Sequence, residues 1–238
     1  MPPGIRCRVI TGPDNLFVLP EFETLLRDEL ARLPPLVLRQ PAGAALLLQA
    51  CAANRALAAD LRHLSATRLH VEGSGFAGDV RCAVDALPYE SDAFQFIVVQ
   101  HAADALAAPE ALVDELARVL APGGTLLWFG LNPWSPWMLW LHWQARRGVA
   151  LPHARHPDAL RRRLLHAQLT PGTSSTLGTC WPTPVGRADG ARVLAPLRGA
   201  WMVSASKQRS VLTPLRQRPL RAVTPRPSLA VPSRRVRA

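Results

Sequence analysis

The sequence predicts an α/β fold built on a doubly wound, mostly parallel sheet, and three adjoining stretches carry that reading. Residues 93–101 form a continuous apolar run with β-branched members, as in a strand covered on both faces. Residues 109–120 follow with Leu112, Val113, Leu116, Val119 and Leu120 at three- and four-residue spacing, one apolar helical stripe behind a first turn at Pro109 and Glu110. Ala121-Pro122-Gly123-Gly124 is read as the end of that helix, because proline cannot continue it and glycine accepts a left-handed cap. Residues 125–130 are then a second strand, ending in the turn-rich segment 131–137. Strand, helix, Pro-Gly-Gly and strand make a right-handed crossover unit.

The remaining chain is read around this unit. Phe22, Leu25, Leu26, Leu30 and Leu33 form a helical stripe, with Glu21, Glu23, Arg27, Asp28, Glu29 and Arg32 mostly facing outward and Pro34-Pro35 ending the helix. Residues 45–50 read as the first strand, 54–64 as a helix with Leu57, Leu61 and Leu64 on one side, and 67–72 as the second strand. Gly73-Ser74-Gly75-Phe76-Ala77-Gly78 matches Gly-x-Gly-x-x-Gly, but the following residues 79–84 read as a short strand rather than a helix, so it is taken as a flexible loop. Residues 136–147 read as a helix, 157–166 as another with Leu160, Leu164 and Leu165 buried, and 199–207 as a last strand.

Composition bounds the function. A chain of 238 residues with 48% hydrophobic content suits one domain of about 200 residues plus an appendage. The net charge of +11 resembles a nucleic-acid signal until it is located: nine cations and no acid follow from Lys207 onward, leaving 19 cations against 17 acids before it. The body is nearly neutral. From Gln217 onward arginine and proline dominate without apolar periodicity, which predicts a disordered basic tail over 216–238 capable of salt-sensitive polyanion binding. Cys7, Cys51, Cys82 and Cys180 make no Cys-x-x-Cys pair, and His153 and His156 lack a third ligand, so neither a disulfide framework nor a metal site is expected. Residues 1–20 are irregular and lack a secretory pattern, so a cytoplasmic location is expected. Residues 119–145 lack charge, but Pro122, Gly123, Gly124, Asn132, Pro133 and Pro136 break them, so no transmembrane segment is expected.

A family resemblance rests on particular residues. Asp85-Ala86-Leu87-Pro88-Tyr89, a strand ending in Gln100-His101, Glu115-Leu116-Ala117-Arg118-Val119-Leu120-Ala121-Pro122-Gly123-Gly124 and Asn132-Pro133-Trp134-Ser135-Pro136-Trp137 resemble class I S-adenosylmethionine-dependent methyltransferases of the type 11 group. The likeness is specific over residues 81–137. It implies a Rossmann-like domain over 21–215, the class I methyltransferase fold, with a substrate-side insertion at about 138–200.

The resemblance also implies roles. In the family the first strand-to-helix turn carries an acid and three glycines; here Leu48 stands at the acidic position and Ala50, Ala52 and Asn54 at the glycine positions, a degenerate cofactor loop. Glu72 stands where the family grips the cofactor ribose, Asp85 and the amide of Ala86 where it reads adenine, and Gln100 near the methyl donor. His101 is the candidate catalytic acid/base, since imidazole titrates near neutrality. Asn132, Trp134 and Trp137 face the substrate side, and Trp134, Trp137, Trp140 and Trp143 are expected along one helical face, as a substrate cover, a lipid-facing surface or core. The implied activity is S-adenosylmethionine-dependent methyl transfer to an unspecified acceptor. The alternative is an inactive scaffold of the same fold binding a protein or polyanion.

Overall fold

The computed structural model describes residues 16–56, 61, 64–184 and 192–208. The irregular reading of residues 1–15 and the basic tail over 216–238 lie outside the described residues.

Eight strands among the described residues form one sheet. They are β1 (Gly43–Gln49), β2 (Leu64–Glu72), β3 (Gly75–Gly78), β4 (Cys82–Ala83), β5 (Phe94–Gln100), β6 (Leu120–Leu131), β7 (Leu169–Leu177) and β8 (Ala200–Lys207). Their order is β4-β3-β2-β1-β5-β6-β8-β7. β2, β1, β5 and β6 are parallel, while β3 and β8 run against both of their neighbours. The helices are α1 (Pro20–Leu30), α2 (Pro34–Val37), α3 (Ala102–Ala105), α4 (Glu110–Val119), α5 (Trp137–Ala145) and α6 (Pro157–His166).

The central strands are apolar throughout because both faces are covered. Leu46, Leu48, Ile97, Val99 and Trp128 pack under Leu112, Leu116 and Leu164 of α4 and α6. On the opposite face Leu47, Phe96, Val98 and Phe129 pack under Phe22 and Leu25 of α1 and under Trp137 and Leu141 of α5. Alternation along each strand sends successive side chains to the two cores.

Several expectations are corrected. Pro34-Pro35 opens α2 rather than merely ending α1, since proline suits a first helical turn. The helix read over 54–64 is a 3-10 turn at Ala52–Ala56 where it is described, and Leu64 already belongs to β2; Leu57 lies outside the described residues. Gly73–Gly78 is not a loop throughout. Glu72 pairs with Gly75 and Leu69 with Gly78, so the segment folds back as β3 and replaces the crossover helix of a fully wound sheet. The glycines permit that close pairing: a Cβ on Gly75 would stand 2.7 Å from the carbonyl oxygen of Cys82, and Gly78 has φ +141°. The short strand expected over 79–84 is only Cys82–Ala83.

Pro122-Gly123-Gly124 also differs. α4 stops at Val119, and β6 begins at Leu120 paired with Phe94; the next pair is Thr125 with Phe96, so 121–124 bulge out of the strand. Gly123 takes φ +82° there. β7 was not anticipated, and Leu165 of α6 is exposed rather than buried.

Candidate functional site

A cavity of about 450 Å³ opens at the carboxyl ends of β1 and β2, within the roughly 300–1,000 Å³ of small-molecule sites. Ala50 borders it after β1, Val71, Gly73 and Ser74 at the end of β2, Val84 after β4, and residues 104–108 after β5. Leu16 and Phe17 from the N-terminal side and residues 150–153 after α5 complete the wall. Most of this lining is apolar; Ser74, Asp104 and His153 are its polar side chains.

The first strand's turn does not fill this space. Leu48 is buried in the α4 core, and Asn54 folds inward, where its Oδ1 accepts from Cys51 Sγ at 3.3 Å and its carbonyl accepts from Gln49 Nε2 at 2.9 Å. Ala52 is exposed. Of Ala50, Ala52 and Asn54, the structure brings only Ala50 to the cavity. Loss of the glycines is accommodated by a 3-10 turn that points its one large side chain away.

Glu72, Asp85 and Ala86 are sequence neighbours of the lining residues without belonging to the lining. Glu72 follows Val71 and precedes Gly73, with its side chain 41% exposed and paired to Arg81 at 2.6 Å. Asp85 and Ala86 are exposed beside Val84. Their loop is fastened from α4: Glu115 Oε2 accepts from the Leu87 amide at 3.0 Å, and Arg118 donates to the carbonyls of Leu87 (3.0 Å) and Tyr89 (2.8 Å). The Arg118 guanidinium holds the Glu115 carboxyl below the usual range. Glu115 and Arg118 stand three residues apart in the Glu-Leu-Ala-Arg stretch, but their function as a clamp is visible only once the loop is placed.

His101 is not at the open face. It is fully buried, with Nε2 2.8 Å from Glu29 Oε1 and Nδ1 2.7 Å from Asp104 Oδ2. Gln100 Nε2 donates to Glu29 Oε2 at 3.0 Å. Burial pulls the imidazole down, but the charge of Glu29 and the bonds to Asp104 and Glu29 outweigh it and push His101 up to about 10. It is therefore an imidazolium near neutral pH. Burial raises the Asp104 carboxyl above its ordinary range, against the opposing effect of His101. Both ring nitrogens are engaged, so His101 has no free nitrogen with which to take a proton from a substrate. Glu29, read as facing outward, is the buried anchor of this cluster.

The substrate-side residues are also redistributed. Asn132 Nδ2 donates to the carbonyls of Pro196 and Arg198, both at 2.8 Å, and Trp137 Nε1 donates to Thr179 at 3.0 Å. They fasten the β6–α5 turn to neighbouring loops. Trp137 and Trp140 are buried beside Phe22, whereas Trp134 is 72% and Trp143 46% exposed. The four tryptophans thus do not share one face. None of Asn132, Trp134 and Trp137 lines the cavity.

The parallel core, the reversed strand β8 between β6 and β7, and a cavity at the strand ends define the class I methyltransferase fold. Residues 42–128 match the family model described as a methyltransferase domain. A chain from the Haloferax volcanii complex between the Trm112 methyltransferase activator and a methyltransferase overlays with a TM-score of 0.52 at 15% identity, covering 79% of this chain and 94% of its own. An S-adenosylmethionine-dependent methyltransferase from Thermotoga maritima gives 0.52 at 13% identity, covering 81% and 93%. Geranyl diphosphate C-methyltransferase from Streptomyces coelicolor, solved with Mg²⁺, geranyl diphosphate and S-adenosyl-L-homocysteine, gives 0.50 at 13% identity, covering 75% and 78%. Comparison with curated proteins finds no match. No helix among the described residues is long and apolar enough to cross a membrane.

Proposed function

We propose that this protein binds S-adenosylmethionine in the cavity at the ends of β1 and β2 and transfers its methyl group to an acceptor. The observation that carries the reading is the cavity itself: it is of cofactor size, stands at the carboxyl ends of parallel strands, and stays clear of Leu48, Ala52 and Asn54 despite the altered turn. Glu72 at its rim offers two oxygens to vicinal ribose hydroxyls once Arg81 swings aside. Asp85 and the Ala86 amide, beside Val84, meet the polar edge of adenine. Ala50 lets the chain pass close to the methionyl part. When bound, the cofactor supplies a methyl group on a positively charged sulfur that leaves as a neutral thioether.

Such a donor requires mainly in-line placement of the acceptor. Leu151, Pro152 and His153 line the cavity and form the acceptor's approach. His153 is the one histidine in the lining among the described residues, and it replaces His101 as the candidate proton acceptor. Ala52, Asn54 and Gln100 are not carried forward as cofactor contacts, because their side chains are exposed elsewhere or engaged inside the fold.

A second reading, cofactor binding without turnover, is favoured by one observation: the histidine next to β5 is sealed between two carboxylates. Calorimetric titration with S-adenosylmethionine tests the binding common to both. Saturable heat with 1:1 stoichiometry supports it; no heat at millimolar ligand removes it. Methyl transfer from labelled cofactor to a cell extract, lost in His153→Ala, separates turnover from binding alone.

A further inference from the structure

We propose that Asp104 is the counter-charge that receives the sulfonium of the bound methyl donor, supplying the negative charge that the first strand no longer carries at Leu48. This rests on the cofactor reading above.

The cavity wall offers little choice. Among the described residues Asp104 is the only acid in its lining, and the segment just after β1 contributes Ala50 there. The antiparallel bridge between Gln49 and His101 sets the start of α3 directly across the end of β1, so Asp104 approaches the place that Leu48 leaves neutral.

Its two oxygens are not equivalent. Oδ2 accepts from His101 Nδ1 at 2.7 Å and from the Leu131 amide at 2.9 Å, while Oδ1 accepts no hydrogen bond from the described residues and is not among their sealed, unpartnered atoms. A free carboxylate oxygen held rigidly beside an apolar space suits a sulfonium, which has no N–H or O–H to donate and is attracted by charge alone. The carboxylate is fixed further through its backbone, since the Asp104 carbonyl accepts from the His153 amide at 2.7 Å.

The local charges point the same way. Glu29 and Asp104 share the single His101 ring inside a dry cluster, and the ring is held cationic between them. Arg155 is the other cation near Asp104; its charge favours the carboxylate, while its N–H groups go to the carbonyls of Ala103, Leu106 and Ala107 rather than to Oδ1. A buried carboxylate is costly unless cations meet it, so a cationic ligand reaching Oδ1 completes the cluster. Asp104 also borders a smaller cavity of about 240 Å³ beside Trp128 and Trp201, and the test must show which side its charge serves.

S-adenosylmethionine and S-adenosylhomocysteine share the nucleoside and the amino acid and differ in the methylated, charged sulfur. The full chain and its Asp104→Asn, Asp104→Ser and Asp104→Glu variants are titrated with both, and each variant is checked for folding by circular dichroism. Removing the carboxylate should weaken S-adenosylmethionine by about 10- to 100-fold, the range of a charge-assisted contact, and leave S-adenosylhomocysteine within about twofold. Asp104→Glu should restore much of the preference for the charged ligand. Equal losses for both ligands would overturn the assignment, making Asp104 a wall residue or a partner of the ammonium group. Unchanged affinities would place its charge on the other cavity and also overturn it. Wild-type chain that binds neither ligand would instead remove the cofactor reading and this inference with it.

Discussion

His101 Nε2 stands 2.8 Å from Glu29 Oε1, with both side chains fully buried, so a helix from the start of the chain is bonded to the end of the fifth strand beside the cavity. His101 holds a left-handed backbone, φ +52°, at the entry to α3, a conformation that a non-glycine residue maintains only where its surroundings over-determine it. Here the surroundings are two carboxylates and the rings of Phe17 and Phe22.

Removing this imidazolium should therefore unsettle the whole N-terminal side. His101→Ala is expected to cost roughly 3–5 kcal/mol, as when one partner of a buried pair is lost. Urea unfolding followed by tryptophan fluorescence measures it; a loss below about 1 kcal/mol would show that the cluster contributes little.

The same pair sets a pH dependence. The folded-state value of about 10 lies above the 6.5 of a free imidazole. Its contribution to stability is therefore fully present below pH 6.5 and is lost as pH rises through about 10. The melting temperature should fall across that window in wild type and fall less in His101→Gln.

Arg118 should act on binding through the loop it holds. Arg118→Ala removes the donors to Leu87 and Tyr89 and frees Glu115, which should cost about 1–2 kcal/mol of stability. Adenosine-containing ligands should bind more weakly because Asp85 and Ala86 lose their fixed position. A variant that loses stability but keeps full affinity would detach the clamp from the site.

Glu72 should act on binding alone. Its side chain is exposed and its partner Arg81 is more exposed still, so the pair adds little to stability. Glu72→Gln should leave the melting temperature within about 1 °C and weaken cofactor binding by about 1–3 kcal/mol, the size of hydrogen bonds to a charged group. Isothermal titration against the ribose-bearing ligand reads the effect directly.

Gly130 tests the packing between β6 and β8. A Cβ there would run into the Trp201 ring, whose Nε1 donates to Leu131 at 2.9 Å and to Arg155 at 3.0 Å. Gly130→Ala should destabilise by roughly 1–3 kcal/mol through overpacking. A shift in tryptophan emission should accompany it.

Much of this architecture was legible because its signals are periodic. The apolar runs of β1 and β5 and the stripe of α4 declare themselves, and Asp85-Ala86-Leu87-Pro88 places the loop beside them. Polarity concealed β7: its Thr-Pro-Gly-Thr-Ser-Ser-Thr core belongs to an edge strand whose side chains are largely solvated. Glu29 was misread although its position follows the stripe of Phe22, Leu25, Leu26 and Leu33; an acid on an apolar face signals a buried partner, and that partner, His101, is distant in sequence. His101 drew attention as a titratable side chain at a strand end, but which way it points depends on Glu29 and Asp104 together. The altered cofactor turn was visible in Leu48, Ala50, Ala52 and Asn54, whereas the inward fold of Asn54 that keeps the cavity open follows from tertiary bonds to Cys51 and Gln49.

The most direct measurement is a crystal structure of the chain grown with S-adenosylhomocysteine. The ligand should lie with its adenine beside Val84 and Asp85, its ribose on Glu72 and its sulfur between Ala50 and Asp104. Density confined to the smaller cavity beside Trp128 and Trp201, or a cavity collapsed around Asn54, would contradict the account.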